Sequence, residues 1–223
     1  MNWAVEEMST INLGDNRLNE RAKKILFSLG QDISSSIPES NEDWHSTKAT
    51  YRFFSNKKVT AGNLLSPHIK ESLVRIKQEK RILLVQDTTE LNYSSQPVRK
   101  SDVKPGYQKN DRIYYLHPLL ALTENRLCLG VVDNYCWTRS SLNRDSQTKT
   151  QYHSEIAHKP IEEKESFRWL LGYRKGCEIA QTCPDTQCIV IGDRESDIYD
   201  IFHESEHNTT GKNASLDRLN QLS

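Results

Sequence analysis

The stretch Arg81-Ile82-Leu83-Leu84-Val85-Gln86-Asp87-Thr88-Thr89 constrains this chain more than any other. A short run of branched apolar residues reads as a buried strand rather than a helix, and this one ends on a carboxylate followed by two hydroxyl residues. The carboxyl end of a central strand is a usual seat of chemistry in an α/β domain. The pattern returns in Cys188-Ile189-Val190-Ile191-Gly192-Asp193-Arg194-Glu195. If the two strands are neighbours, their axes stand roughly 4.8 Å apart, and Asp87 and Asp193 can reach one ion. Taken singly, a strand-end aspartate reads first as a cap of a turn or helix. The pair is what points towards ions.

A length of 223 residues allows one large domain or two small ones, with most of the apolar surface buried on folding. The 30 basic and 30 acidic residues cancel, so net charge decides nothing about nucleic acid. Their distribution says more. From Lys48 to Arg81 there are nine Lys/Arg against Glu71 and Glu79, whereas Asp185 to Asn208 holds seven acids and one Arg. That asymmetry suits a protein that grips phosphate with one part and gathers cations with another; solvated helix faces explain it equally well. No apolar run is long enough to span a bilayer, and Met1-Asn2-Trp3-Ala4-Val5 has no basic leader, so a cytoplasmic protein without membrane contact is expected. Five cysteines without a C-x-x-C read as reduced thiols packed as small hydrophobes.

Leu18, Ala22, Ile25, Leu26 and Leu29 predict an amphipathic helix capped near Asp15 and stopped at Gly30. Ser40 with Asp43 three residues on predicts the start of a second helix, which carries Trp44, His45, Lys48, Tyr51, Arg52 and Phe53 until Asn56-Lys57-Lys58 breaks it. Ser66-Pro67 predicts the start of a third. A helical unit over 1–65 thus precedes the first strand. Beyond Asp87 come a polar loop from Ser94 to Asp111, a hairpin of Ile113–Leu122 with Leu127–Tyr135, and a basic loop from Arg139 to about Lys159. A helix over Glu162 to Ala180, the Asp193 strand and a short helix follow. Residues 209–223 give neither a convincing strand nor a long helix. They read as an irregular tail.

Strand, hairpin, helix, strand, helix is the opening order of a ribonuclease-H-like domain, in which the first and fourth strands lie side by side. Five motifs stand in register with that order: Leu13-Gly14-Asp15-x-Arg17, Tyr51-Arg52-Phe53, Asp87-Thr88-Thr89, Glu163-Lys164-Glu165-Ser166-x-Arg168-Trp169, and Asp193-Arg194-Glu195-x-Asp197. Together they resemble the bacterial insertion-sequence transposases of the DDE superfamily, the group typified by the transposase of transposon five, over about residues 10–205. The resemblance implies an α/β protein with a helical DNA-binding domain (1–65) and a mixed-sheet, ribonuclease-H-like catalytic domain (66–208). The latter is expected to be truncated.

It further implies metal-dependent cleavage and strand transfer of double-stranded DNA at the element's terminal inverted repeats, with Mg²⁺ or Mn²⁺ as cofactor. Asp87 and Asp193 fall on the family's first two catalytic, metal-binding carboxylates. The third, a glutamate in a Tyr-(2)-Arg-(3)-Glu-(6)-Lys signature, has no counterpart here, so activity is expected to be incomplete. Family members dimerise through a C-terminal region; without it, a monomer is expected. Lys48, Tyr51, Arg52, Lys57 and Lys58 are the candidate DNA contacts, and Arg194 either touches phosphate or pairs with Glu195. Glu195 and Asp197 read as cap and surface charges before ligands. Two rival readings remain: a non-cutting fragment that occupies transposon ends as a repressor, and another ribonuclease-H-like nuclease.

Overall fold

Three side-chain caps start the first three helices. Asn2 accepts from the Ala4 N–H to open α1 (Trp3–Glu7), and Asp15 accepts from Arg17 to open α2 (Asn16–Gln31). Asp43 accepts from Ser46 to open α3 (Trp44–Phe54). Each cap satisfies a donor that the first helical turn leaves without a partner. The structure is a computed structural model and describes residues 2–95, 112–139, 158–207 and, as backbone, 214–218. Most of the polar loop expected up to Asp111 and of the basic loop before Lys159 lies outside the described residues.

The chain divides into two compact units, Met1–Val74 and Arg75–Ser223. In the first, Met8, Ile11, Leu13, Ala22, Ile25 and Phe53 form the core, flanked by Leu18, Leu26, Leu29, Val59 and Leu64. Two boundaries differ from expectation. Asp43 rather than Ser40 caps α3, because its carboxylate reaches the Ser46 N–H at 2.6 Å. The next helix, α4 (Ala61–Ile76), starts before Ser66: Thr60 Oγ1 accepts from Asn63 N–H and Pro67 lies inside the helix. The unit therefore extends past residue 65 to Val74.

The second unit is built on one mixed sheet. Strand β1 (Arg81–Gln86) pairs antiparallel with β3 (Ile113–Thr123), which pairs antiparallel with β4 (Cys128–Trp137). On its other side β1 pairs parallel with β5 (Gln187–Gly192). The expected adjacency of the two aspartate-bearing strands is what the sheet has. A short strand that the sequence did not announce, β2 (Thr89–Asn92), pairs with β3 in the register already set by β1, with Gln86 opposite Leu119 and Thr89 opposite Leu116. It continues β1 after a two-residue interruption at Asp87 and Thr88. Carried across the gap, this register sets Asp87 opposite Pro118, which has no N–H for a ladder, and Thr88 opposite His117.

The tail is also not wholly irregular. Ala214–Arg218 forms β6, parallel to β5 from Cys188↔Ala214 to Gly192↔Arg218. Its residues Ala-Ser-Leu-Asp-Arg lack an apolar run, so periodicity gave no signal there.

Helix α5 (Phe167–Thr182) packs on the sheet and begins later than the acids at 162 and 163, which lie in a 3₁₀ turn, Ile161–Glu163. The burial of β1 alternates so that Ile82, Leu84 and Gln86 are covered. Gly176 lets the helix approach closely, since a Cβ there would stand 2.5 Å from Val190 Cγ2. Helix α6 (Tyr199–His207) follows β5 and its 3₁₀ turn. Among the cysteines, Cys177, Cys183 and Cys188 are buried, whereas Cys128 and Cys136 are exposed; burial pushes the Cys188 thiol up to about 12.

Candidate functional site

The parallel register of β1 and β5 ends at Val85↔Ile191, so Asp87 and Asp193 leave the sheet at equivalent positions on adjacent strands. Neighbouring strand axes stand roughly 4.8 Å apart. Asp87 is exposed and Asp193 half-buried. Each carboxylate spends one oxygen on its own turn: Asp87 Oδ1 accepts from Thr88 N–H at 2.7 Å, and Asp193 Oδ1 from Glu195 N–H at 2.8 Å. The second bond makes Asp193 the cap of the 3₁₀ turn Arg194–Ser196. Capping and ion binding are thus not exclusive here, because the outer oxygens play no part in these bonds.

Around the pair lies a network of side chains; Thr88, Arg168 and Trp169 stand in the motifs of the sequence, whereas the contacts among them carry no sequence signal. Arg168, at the start of α5, is 8% exposed. A guanidinium so deep needs partners for its N–H groups, and it has them. Nε donates to Thr88 Oγ1 at 2.9 Å, Nη1 to the Glu165 carbonyl at 2.8 Å, and Nη2 to Glu195 Oε2 at 2.6 Å. The rings of Trp137 and Trp169 flank it, with its Cζ 5.5 and 5.3 Å from their centroids. Glu195 therefore pairs with Arg168 and not with Arg194, which is exposed.

The hydrogen bonds continue inward. Thr88 Oγ1 lies 2.9 Å from His117 Nδ1, and His117 Nε2 lies 3.2 Å from Gln86 Oε1. With Arg168 donating to the threonine oxygen, the threonine hydroxyl is left to donate to Nδ1, and Nε2–H then donates to Gln86. This network assigns a neutral histidine with its proton on Nε2. Burial first, and the Arg168 charge second, hold the His117 pKa down at about 4, which keeps the ring neutral near pH 7. Gln86 is 2% exposed and donates weakly to the Trp169 carbonyl at 3.5 Å. A Cβ on Gly172 would stand 1.9 Å from Gln86 Oε1, so any larger residue there would push this side chain aside. Gly192, just before Asp193, likewise faces Ser196 Cβ and Trp169 Cζ3, at 2.7 and 3.2 Å from where its own Cβ would be.

Oxygen donors from carboxylates are what Mg²⁺ and Mn²⁺ take, so the chemistry of the pair fits such an ion. Two carboxylates do not complete a coordination shell, and among the described residues no group of three or more His, Cys, Asp or Glu is arranged to hold a metal. Tyr115 stacks on Trp137 at 5.3 Å and lies under Arg139 at 4.1 Å.

In the helical unit, α3 sorts its residues by face. Thr47, Thr50 and Phe53 are buried, while Trp44 is 73% and Tyr51 49% exposed. Lys48 and Arg52 lie on the same exposed side, since residues three and four apart share a helix face. Lys57 and Lys58 are exposed just beyond it, and Lys58 Nζ reaches the Gly14 carbonyl at 3.3 Å. Trp44 is thus not the core residue that a purely structural helix would make of it. Among the described residues no helix is long and apolar enough to cross a membrane.

Residues 1–59, which include α1 to α3 and this basic, aromatic face, match the family model for transposase DNA-binding.

Proposed function

We propose that this chain is a DDE-type transposase of the insertion-sequence group, acting on double-stranded DNA. Its helical unit binds the element's terminal repeats, and its sheet unit supplies two of the carboxylates that hold Mg²⁺ or Mn²⁺ for cleavage and strand transfer. One observation carries the catalytic part: Asp87 and Asp193 end adjacent parallel strands in the same register. Because β2 continues β1 in one register against β3, β5 is in effect the fourth strand and lies beside the first. That order supports a ribonuclease-H-like sheet.

Asp87 and Asp193 would hold a divalent ion that would supply activation of an attacking water or 3′-hydroxyl and charge stabilisation of the leaving oxygen of the phosphodiester. The chain's own residues do the rest. Asp87 and Asp193 present their outer oxygens, while the Thr88 and Glu195 amides orient the inner ones. On the helical unit, Lys48, Arg52, Lys57 and Lys58 meet phosphates and Tyr51 packs beside them, contacts that position the duplex without reading its sequence. Arg194, exposed beside Asp193, meets a phosphate near the carboxylates in this reading.

The test uses duplexes ending in the element's terminal repeat and scrambled controls, with Mg²⁺ or Mn²⁺ supplied. The reading expects preferential binding of the repeat and loss of any nicking in Asp87→Asn. Equal affinity for both duplexes would remove the end-binding claim.

A second reading has its own support. With no three-residue metal group among the described residues, the chain can occupy transposon ends without cutting them. Tight, repeat-selective binding together with no cleavage in either metal selects this repressor role. The transposase DNA-binding match weighs against an unrelated ribonuclease-H-like nuclease.

A further inference from the structure

We propose that Arg168 is a positioning residue whose guanidinium holds the two carboxylate-bearing turns in one fixed frame. The inference rests on the reading that Asp87 and Asp193 take divalent cations. Its geometric part stands apart from that reading.

The β1–β5 ladder gives its last pair at Val85↔Ile191, two residues short of each carboxylate. Beyond that point the two chain ends diverge, one to β2 and the other to a 3₁₀ turn. Arg168 bridges them. It donates to Thr88, the residue after Asp87, and to Glu195, two residues after Asp193, and anchors itself on the Glu165 carbonyl. These contacts run to the neighbours of the carboxylates, so the guanidinium sets their spacing while leaving their outer oxygens to an ion. Thr88 passes the constraint on to His117 on β3, and so to the sheet itself. A planar fork with donors in three directions is needed for this. A lysine ammonium is a point charge on a flexible stem and cannot span the same three acceptors.

Two backbone amides report on the two turns separately. Thr88 N–H donates to Asp87 and Glu195 N–H donates to Asp193, so hydrogen exchange at each reads one carboxylate's turn. In Arg168→Ala, both amides should exchange about tenfold faster or more, while the β1 amides of Leu83 and Leu84 keep their protection. Mn²⁺ affinity, read by electron paramagnetic resonance of the free ion, should fall about 10- to 100-fold, the usual cost of losing an outer-shell support. Arg168→Lys should recover neither effect fully. If both amides stay as protected as in the wild type, or if only one changes, the proposal is overturned. Wild-type Mn²⁺ affinity in Arg168→Ala, alongside loss of binding in Asp87→Asn, overturns it equally.

Should Arg168→Ala fail to fold, Thr88→Val and Glu195→Ala each remove one arm. The first should loosen the Glu195 amide and the second the Thr88 amide, across the site; the absence of any cross-effect sinks the idea. If the wild-type chain binds no Mn²⁺, or Asp87→Asn binds it unchanged, the cation reading fails. The amide exchange then still decides the role of Arg168.

Discussion

Val85 lies directly opposite Ile191 in the parallel pairing of β1 with β5, and Asp87 and Asp193 each stand two residues further along. A parallel ladder keeps this offset constant, so a single-residue slip of either strand would carry one carboxylate to the opposite side of the sheet. The apolar faces prevent that slip. Ile82, Leu84 and Val190 are fully buried, and moving any of them outward would expose branched side chains worth roughly 1.5–3 kcal/mol each.

That shared position predicts shared loss. Asp87→Asn and Asp193→Asn should each weaken Mn²⁺ binding by about tenfold or more, because an amide brings no charge to the ion. Both variants should keep the wild-type circular dichroism. Retention of wild-type Mn²⁺ affinity by either one would remove that residue from the site.

The buried histidine sets a pH dependence. His117 takes up a proton in the unfolded chain near pH 6.5 but resists it in the fold until about pH 4. Its neutral form therefore contributes stability that is fully present above pH 6.5 and is lost as pH falls from there to about 4. The urea midpoint should decline through this window, and less so in His117→Gln. A ring titration by nuclear magnetic resonance centred near 6.5 in the folded protein would contradict this.

Gly172 tests the packing beneath the site. Alanine favours a helix interior by about 1 kcal/mol over glycine, so a roomy position would gain stability from Gly172→Ala. Here the added methyl meets Gln86 Oε1 at 1.9 Å, and Gln86 is buried and bonded to His117. Overpacking of about 1–3 kcal/mol should win, lowering the urea midpoint with the slope unchanged. A raised midpoint would show that Gln86 can step aside at little cost.

On the helical unit, Lys48→Ala and Arg52→Ala should each reduce the salt dependence of duplex binding by about one unit of slope in log affinity against log salt. The loss should be similar on repeat and scrambled duplexes, as expected for phosphate contacts. Unchanged slopes in both would take α3 away from the DNA.

Much of the architecture was legible because the signals are local. Asp15 before the apolar stripe of α2, the two apolar strands ending on aspartate, and the Thr123–Arg126 link of the hairpin each carry their own chemistry within a few residues. Signals were weaker where a short element leans on its neighbours. Strand β2 exists because β3 offers it the register that β1 began, and β6 because β5 offers an edge; neither has an apolar run of its own.

By itself the sequence determined the order of the longer elements, the cap at Asp15, and the placing of a carboxylate at the end of each of two buried strands. Only the tertiary structure decided that these strands are parallel neighbours in matching register. It also decided that Arg168, some eighty residues from Thr88 and twenty-seven from Glu195, joins the turns beside them. Such a contact has no period and no spacing to reveal it. It arises because a buried guanidinium must find acceptors, and folding brings these within its reach.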